Sequence, residues 1–283
     1  MNLRGSKLKL RIIPRRVRPR RLRPSNTIPR MLAWGVHFYT ALGLVAAAGI
    51  GVLTVRGGPD AFRGAFLLML VATVIDATDG TLARRVRVKE VLPGFDGRRL
   101  DDLVDFLTYT CLPLMLIWRA DLLPGALAWS LLVPLLASAY GFCQVAVKTD
   151  DGYFLGFPSY WNLVAFYLYA LRPPPAIVVS LLLVLALLTF VPARYLYPTR
   201  RGRLNAWTNV LGGLWACLLV WILLDPSSVP LDNERTRWGA IASLFFPLYY
   251  LIASWIVTVR FWRRKGSQPP PTAWQLALEP EKR

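Results

Sequence analysis

Apolar and polar positions alternate along this chain in long blocks. From about residue 33 onward, eight predominantly apolar segments succeed one another, at 33–54, 62–81, 100–118, 123–147, 159–172, 175–193, 206–224 and 238–261. Most approach the roughly 20 residues that an α-helix needs to cross the hydrocarbon core of a bilayer. Short turn-like connections separate several of them, such as RGGPD, RADLLPG and RPPP, and a longer one reads DPSSVPLDNERTR. The pattern predicts an all-α, polytopic membrane helix bundle of about eight transmembrane helices, with its membrane domain spanning residues 31–265.

Charge sharpens this picture. The chain is 55% hydrophobic and yet carries a net charge of +18. Segregation reconciles the two, with apolar stretches in lipid and charge at their margins. Residues 1–30 hold eleven Lys/Arg and no acid. They read as a basic cytoplasmic tail that fixes topology and touches anionic lipid. No apolar core with a small-residue cleavage site follows it, so a cleavable signal peptide is not expected. No aromatic-rich soluble domain accompanies the tail, which argues against a nucleic-acid partner. Residues 266–283 read as a polar, Pro-rich C-terminal tail. With both termini in the cytoplasm, eight spans place 28 of the 34 Lys/Arg inside and six outside. That asymmetry follows the positive-inside rule.

The second and third segments break their apolar pattern with carboxylates. Asp76, Asp79, Gly80, Ala83 and Arg84 fall within an arc of roughly 140° on a helix, and Gly97, Asp101 and Asp105 form a second stripe at steps of four. Pro93 and Gly94 interrupt the helix between them. Two antiparallel helices would then turn acidic faces toward each other. Four facing carboxylates do not all stay ionised in a low-dielectric site without cations. Their neighbours Asp96 and Asp102 lie off the stripe and read as helix-starting or solvated charges. The three cysteines, Cys111, Cys143 and Cys217, lack metal-site spacing and read as small buried hydrophobes. The single His37 cannot build a histidine metal centre.

The spacing D-x2-D-G-x2-A-R, twelve residues, then G-x3-D-x3-D resembles the signature of the CDP-alcohol phosphatidyltransferase family. The flanking stretches VLPGFDGRRLDDLVDFLTY and KTDDGYFLGFPSYWNLVAFYLY are most similar to its bacterial phosphatidylcholine synthase branch. The resemblance implies transfer of the phosphatidyl group of CDP-diacylglycerol to an alcohol with release of CMP. It assigns Asp76, Asp79, Asp101 and Asp105 to metal binding, with Mn²⁺ or Mg²⁺, two ions in all, as the cofactor. Asp105 would also act as general base on the acceptor hydroxyl. Asp76, Asp79, Gly80, Ala83, Arg84 and Gly97 would hold CDP-diacylglycerol, the small residues leaving room for the nucleotide and Arg84 meeting phosphate. The likeness further implies a bacterial inner-membrane location, a cytoplasm-facing site and a homodimer.

The acceptor is read from aromatic residues. Choline presents a quaternary ammonium, which aromatic faces hold. Tyr109 continues the Asp105 stripe, and Tyr153, Tyr160 and Trp161 lie beside Asp150 and Asp151. The same rings suit an interfacial aromatic belt equally well. The resemblance favours choline, ahead of serine, glycerol 3-phosphate or an inositol phosphate. A transporter with an acidic cation site is the reading from another class. It would distribute polar residues through the membrane, whereas the acids here gather at one end.

Overall fold

The computed structural model describes residues 27–144, 153–196, 203–225 and 233–264. The basic tail through residue 26, Asp150, Asp151 and the C-terminal tail lie outside the described residues. Each of the eight apolar segments coincides with helix. The first two are the longest, α1 (Thr27–Arg56) and α2 (Pro59–Val86). They form an antiparallel pair joined by Gly57 and Gly58, both in the left-handed region. At 1.5 Å per residue, the 28 residues of α2 reach about 42 Å, longer than a hydrocarbon core of about 30 Å. The excess carries the acidic end of α2 toward the membrane surface.

The break between the two acidic stripes falls earlier than Pro93 implies. Arg87 adopts a left-handed conformation that ends α2, and a single turn, α3 (Val88–Val91), follows. Asp96 then caps α4 (Gly97–Asp105), its side chain accepting from the backbone N–H groups of Arg98 and Arg99. Helical backbone continues without interruption through a π-helical turn, Phe106–Cys111, into α5 (Leu112–Arg119). The fourth segment opens as a 3₁₀ turn, Gly125–Leu131, and becomes α6 (Leu132–Cys143). Four further segments give α7 (Trp161–Leu171), α8 (Pro175–Leu188), α9 (Arg203–Leu224) and the stacked pair α10 (Glu234–Ser243) and α11 (Phe245–Arg264).

Among the described residues, five helices are long and apolar enough to cross a membrane. Two apolar helices, α7 and α8, are shorter. Outward-facing Val45, Val52, Leu136, Leu187 and Leu214 are all exposed, which suits lipid rather than water. The protein is therefore an α-helical membrane bundle. Cys111, Cys143 and Cys217 are free thiols. Cys143 and Cys217, expected to be buried, lie instead on the outer surface, where lipid accepts a small apolar side chain as readily as the core does.

One feature was not visible in the apolar pattern. Two short strands, β1 (Tyr153–Leu155) and β2 (Arg194–Leu196), pair antiparallel with Phe154 opposite Tyr195. Strand β2 is fastened to α11, where Ser254 and Thr258 hydroxyls accept from the N–H groups of Leu196 and Arg194 at 3.2 and 2.7 Å. Gly156 follows β1 at φ 83°, and a Cβ there would collide with the Thr189 carbonyl. Only glycine lets the chain turn so closely under α8. The turn delivers Phe157 and Tyr160 to the end of the bundle where Tyr109 meets Asp76. The core beneath is one cluster that includes Phe62, Phe66, Leu116, Ile117, Tyr169 and Leu182.

Candidate active site

Asp76 of α2 and Asp101 and Asp105 of α4 each offer a carboxylate oxygen within 4.8 Å of the other two. All three are half-buried. At that separation two unit charges repel by roughly 3–4 kcal/mol at an effective dielectric of about 20. Such a cluster is stable when positive charge sits among the oxygens. The donor set is all carboxylate, the hard oxygen chemistry that Mg²⁺ and Mn²⁺ accept, with no histidine or thiolate to favour softer metals. The residues present fit a divalent ion. The phenol of Tyr109 donates to Asp76 Oδ2 at 2.8 Å, which fixes the carboxylate from the membrane side.

Asp79 is placed differently. Three residues along a helix is a rotation of 60° short of a full turn, and this swings Asp79 from α4 toward α1. It is buried, and its Oδ2 accepts from the Thr40 hydroxyl at 2.7 Å. One position earlier on each helix, the hydroxyls of Tyr39 and Thr78 are 2.8 Å apart. Asp79 thus stands beside the three-carboxylate cluster without belonging to it.

The remaining signature residues line the same end. Arg84 is exposed, and its Nη2 donates to Thr81 at 2.9 Å. Its guanidinium lies over Gly80, where an added Cβ would come within 3.4 Å of Nη1. A Cβ at position 80 would meet the arginine only in ordinary van der Waals contact, and the glycine leaves the helix surface beside the guanidinium open. Ala83 packs against a small cluster of Ala33, Val36, Val88 and Leu92, so its size also serves the seat of α1 on α3. At Gly97 a Cβ would run into the imidazole of His37. The His37 ring also lies 4.3 Å from that of Phe95. Asp102 approaches Arg98 at 3.9 Å on the outer face of α4, and Asp96 serves as the helix cap, so both act as the charges expected of them.

The four aromatic acceptor candidates separate. Tyr109, which donates to Asp76, and Tyr160 approach each other with ring centroids 6.2 Å apart. Trp161 does not join them. It is wholly buried, donates to Ser138 of α6 at 2.6 Å and packs against Phe157. Its ring is core. Tyr153 sits in β1 under the Arg194 guanidinium, 5.2 Å from its ring centroid. Asn162 of α7 donates to the Thr73 hydroxyl of α2 at 3.3 Å. Two residues that the sequence gave no reason to single out complete the row of rings. Tyr250 of α11 lies 6.1 Å from Tyr160, and Tyr195 of β2 stacks on Tyr250 at 6.3 Å. No local pattern signals them, because long-range pairing of β2 with α11 brings them in.

No protein-family model matches the chain. Curated relatives do. A phosphatidylcholine synthase of Pseudomonas aeruginosa is 33% identical over 238 residues, covering 83% of this chain and 93% of the relative. One from Legionella pneumophila is 40% identical over 191 residues, covering 65% and 72%. One from Agrobacterium fabrum is 31% identical over 218 residues, covering 77% and 87%. With likeness at that level running through most of both chains, and a tyrosine-braced carboxylate cluster where the signature falls, the chain belongs to the phosphatidylcholine synthase family.

Proposed function

We propose that this protein transfers the phosphatidyl group of CDP-diacylglycerol to choline, producing phosphatidylcholine and CMP. The observation that carries the reading is the convergence of Asp76, Asp101 and Asp105 within 4.8 Å in a chain similar to phosphatidylcholine synthases over most of its length.

Asp76, Asp101 and Asp105 would hold the divalent ion, Mg²⁺ or Mn²⁺, with Asp79 adjoining from its Thr40 bond; two ions are the family expectation. When bound, the metal supplies positive charge for the diphosphate oxygens. The protein does the rest. Gly80 leaves the surface of α2 open beside Arg84, whose planar fork matches phosphate oxygens. Gly97 and Ala83 keep the neighbouring helices close. Asp105 accepts the proton of the choline hydroxyl, whose oxygen then forms a bond to the phosphorus that carries diacylglycerol. The diphosphate P–O bond breaks, and CMP leaves with the electron pair. A positioned base of this kind is worth on the order of 10²–10⁴ in rate. Tyr109, holding Asp76 on one side, turns its ring toward the acceptor together with Tyr160.

In the membrane, we read the eight segments as spans with both termini in the cytoplasm, which puts the cluster at the cytoplasmic face of a bacterial inner membrane. CDP-diacylglycerol reaches that face laterally through lipid, and choline reaches it from water.

The test is CMP release by purified protein in detergent with CDP-diacylglycerol and Mn²⁺ or Mg²⁺, offering choline, serine, glycerol 3-phosphate and inositol phosphate separately. Release with choline alone, abolished by chelator and restored by either metal, is expected. Release with another acceptor would keep the transfer chemistry and overturn the choline assignment.

A further inference from the structure

We propose that Asn162 of α7 is a positioning residue for the metal site, fixing through Thr73 and Tyr109 the direction of the hydrogen bond that holds Asp76. This rests on the metal reading above and is independent of which alcohol accepts the phosphatidyl group.

Asn162 lies in the first turn of α7, and its side chain is buried. An amide in such a place is costly unless it is hydrogen-bonded. Its Oδ1 accepts from the backbone N–H of Leu163 at 2.9 Å, and its Nδ2 donates to the Thr73 hydroxyl at 3.3 Å. The first bond settles the orientation of the amide, because a backbone N–H can be met only by the oxygen. The NH2 group therefore faces Thr73. The start of α7 is anchored separately by Trp161, whose indole N–H donates to Ser138 at 2.6 Å.

Thr73 and Asp76 are three residues apart on α2 and so lie on one face of it. The phenol of Tyr109 reaches both, donating to Asp76 Oδ2 at 2.8 Å and meeting the Thr73 hydroxyl as well. Each hydroxyl has one proton to give. The NH2 of Asn162 gives protons and takes none. The Thr73 proton is thus left for the Met69 carbonyl, 2.9 Å away, or for the phenol oxygen of Tyr109. Asn162 also fills a lone pair of Thr73 that would otherwise compete with Asp76 for the Tyr109 proton. The donors run one way, from α7 to α2 and from the π-helical turn to the carboxylate. Asp76 is one of the three carboxylates within 4.8 Å. Groups that orient a metal ligand from behind are worth on the order of 10–100-fold in metal affinity.

The experiment measures Mn²⁺ binding to the full-length protein in detergent, without substrates, from the electron paramagnetic resonance signal of free Mn²⁺. Wild type is compared with Asn162→Leu, Tyr109→Phe and the double variant. Asn162→Leu keeps the branching of the side chain and removes its donor and acceptor. It is expected to weaken Mn²⁺ binding about tenfold, and Tyr109→Phe about tenfold to hundredfold. The double variant should bind within about threefold of Tyr109→Phe, because the two side chains act through one bond. An asparagine that served packing alone would give losses that add. Should Asn162→Leu fail to fold, Thr73→Val should reproduce the loss and Thr73→Ser, which keeps the hydroxyl, should retain the affinity. Wild-type affinity in Asn162→Leu or Thr73→Val, or additive losses in the double variant, overturns the role of Asn162 and leaves the metal reading intact. Folded wild-type protein that binds no Mn²⁺ overturns both.

Discussion

Asp105 of α4 and Asp79 of α2 carry the same functional group at one end of the bundle and are set to different tasks by what they face. Asp105 stands among carboxylates, and Asp79 is buried against a hydroxyl. Asp105→Asn keeps the shape of the site and removes the proton acceptor. CMP release should fall on the order of 10²–10⁴ in protein that elutes and melts as wild type does. Thr40→Val acts on Asp79 instead. It strips a buried carboxylate of its hydrogen bond, which costs about 1–3 kcal/mol. Thermal unfolding in detergent should detect the loss, and activity should fall with it because α1 no longer holds the acidic end of α2.

Elements decide how these residues meet, and here sequence and structure part company. The two stripes of carboxylates were legible because a helix imposes a fixed angle per residue, so spacing alone brings Asp76, Asp101 and Asp105 to one side. Asp79 was grouped with them by the same arithmetic. What the spacing could not say is that α1 lies along that flank with Thr40 in reach. Trp161 illustrates the converse. It belongs to an aromatic run beside the site, yet helical rotation takes it into the core while Tyr160, one residue earlier, stays with the cluster. Tyr250 was invisible for a third reason, since nothing local connects α11 to β2. The turn that makes this junction is also the easiest to break. Gly156→Ala forces a Cβ into the Thr189 carbonyl at a positive φ and should lower stability by at least about 1–3 kcal/mol, read as a fall in Tm. Choline KM should suffer more than the KM for CDP-diacylglycerol, because the rings beyond the turn move first.

At the scale of the whole molecule, the chain places its carboxylate cluster at one end of a bundle whose outside is apolar. Our topology predicts that a reporter fused after residue 265 is active in the cytoplasm, and that a cysteine introduced near Ala120 is labelled from the periplasmic side by a membrane-impermeant thiol reagent. A reporter after 265 that is active only outside, together with a cysteine near Ala120 that the reagent cannot reach, would reverse the orientation and separate the site from a cytoplasmic supply of nucleotide. Bundle architecture was legible throughout, since long apolar runs have few other destinations. Lengths were less so, because a segment such as 159–172 stays apolar on both sides of the point where its helix begins.

The π-helical turn at Phe106–Cys111 behaves, finally, as a clutch between two gears. A π turn accommodates one more residue than the α-helix around it, so the carboxylates above and the packed Leu114, Leu116 and Ile117 below are meshed at an offset that no uninterrupted α-helix would permit. Deleting the exposed Leu107 should let the backbone close into plain α-helix. If the lower half keeps its seat in the core, everything above turns by about 100°, and Asp101 and Asp105 face away from Asp76. The outcome to look for is a protein that inserts and folds while binding no divalent metal. Chain length alone, with every catalytic side chain still present, would then have switched the enzyme off.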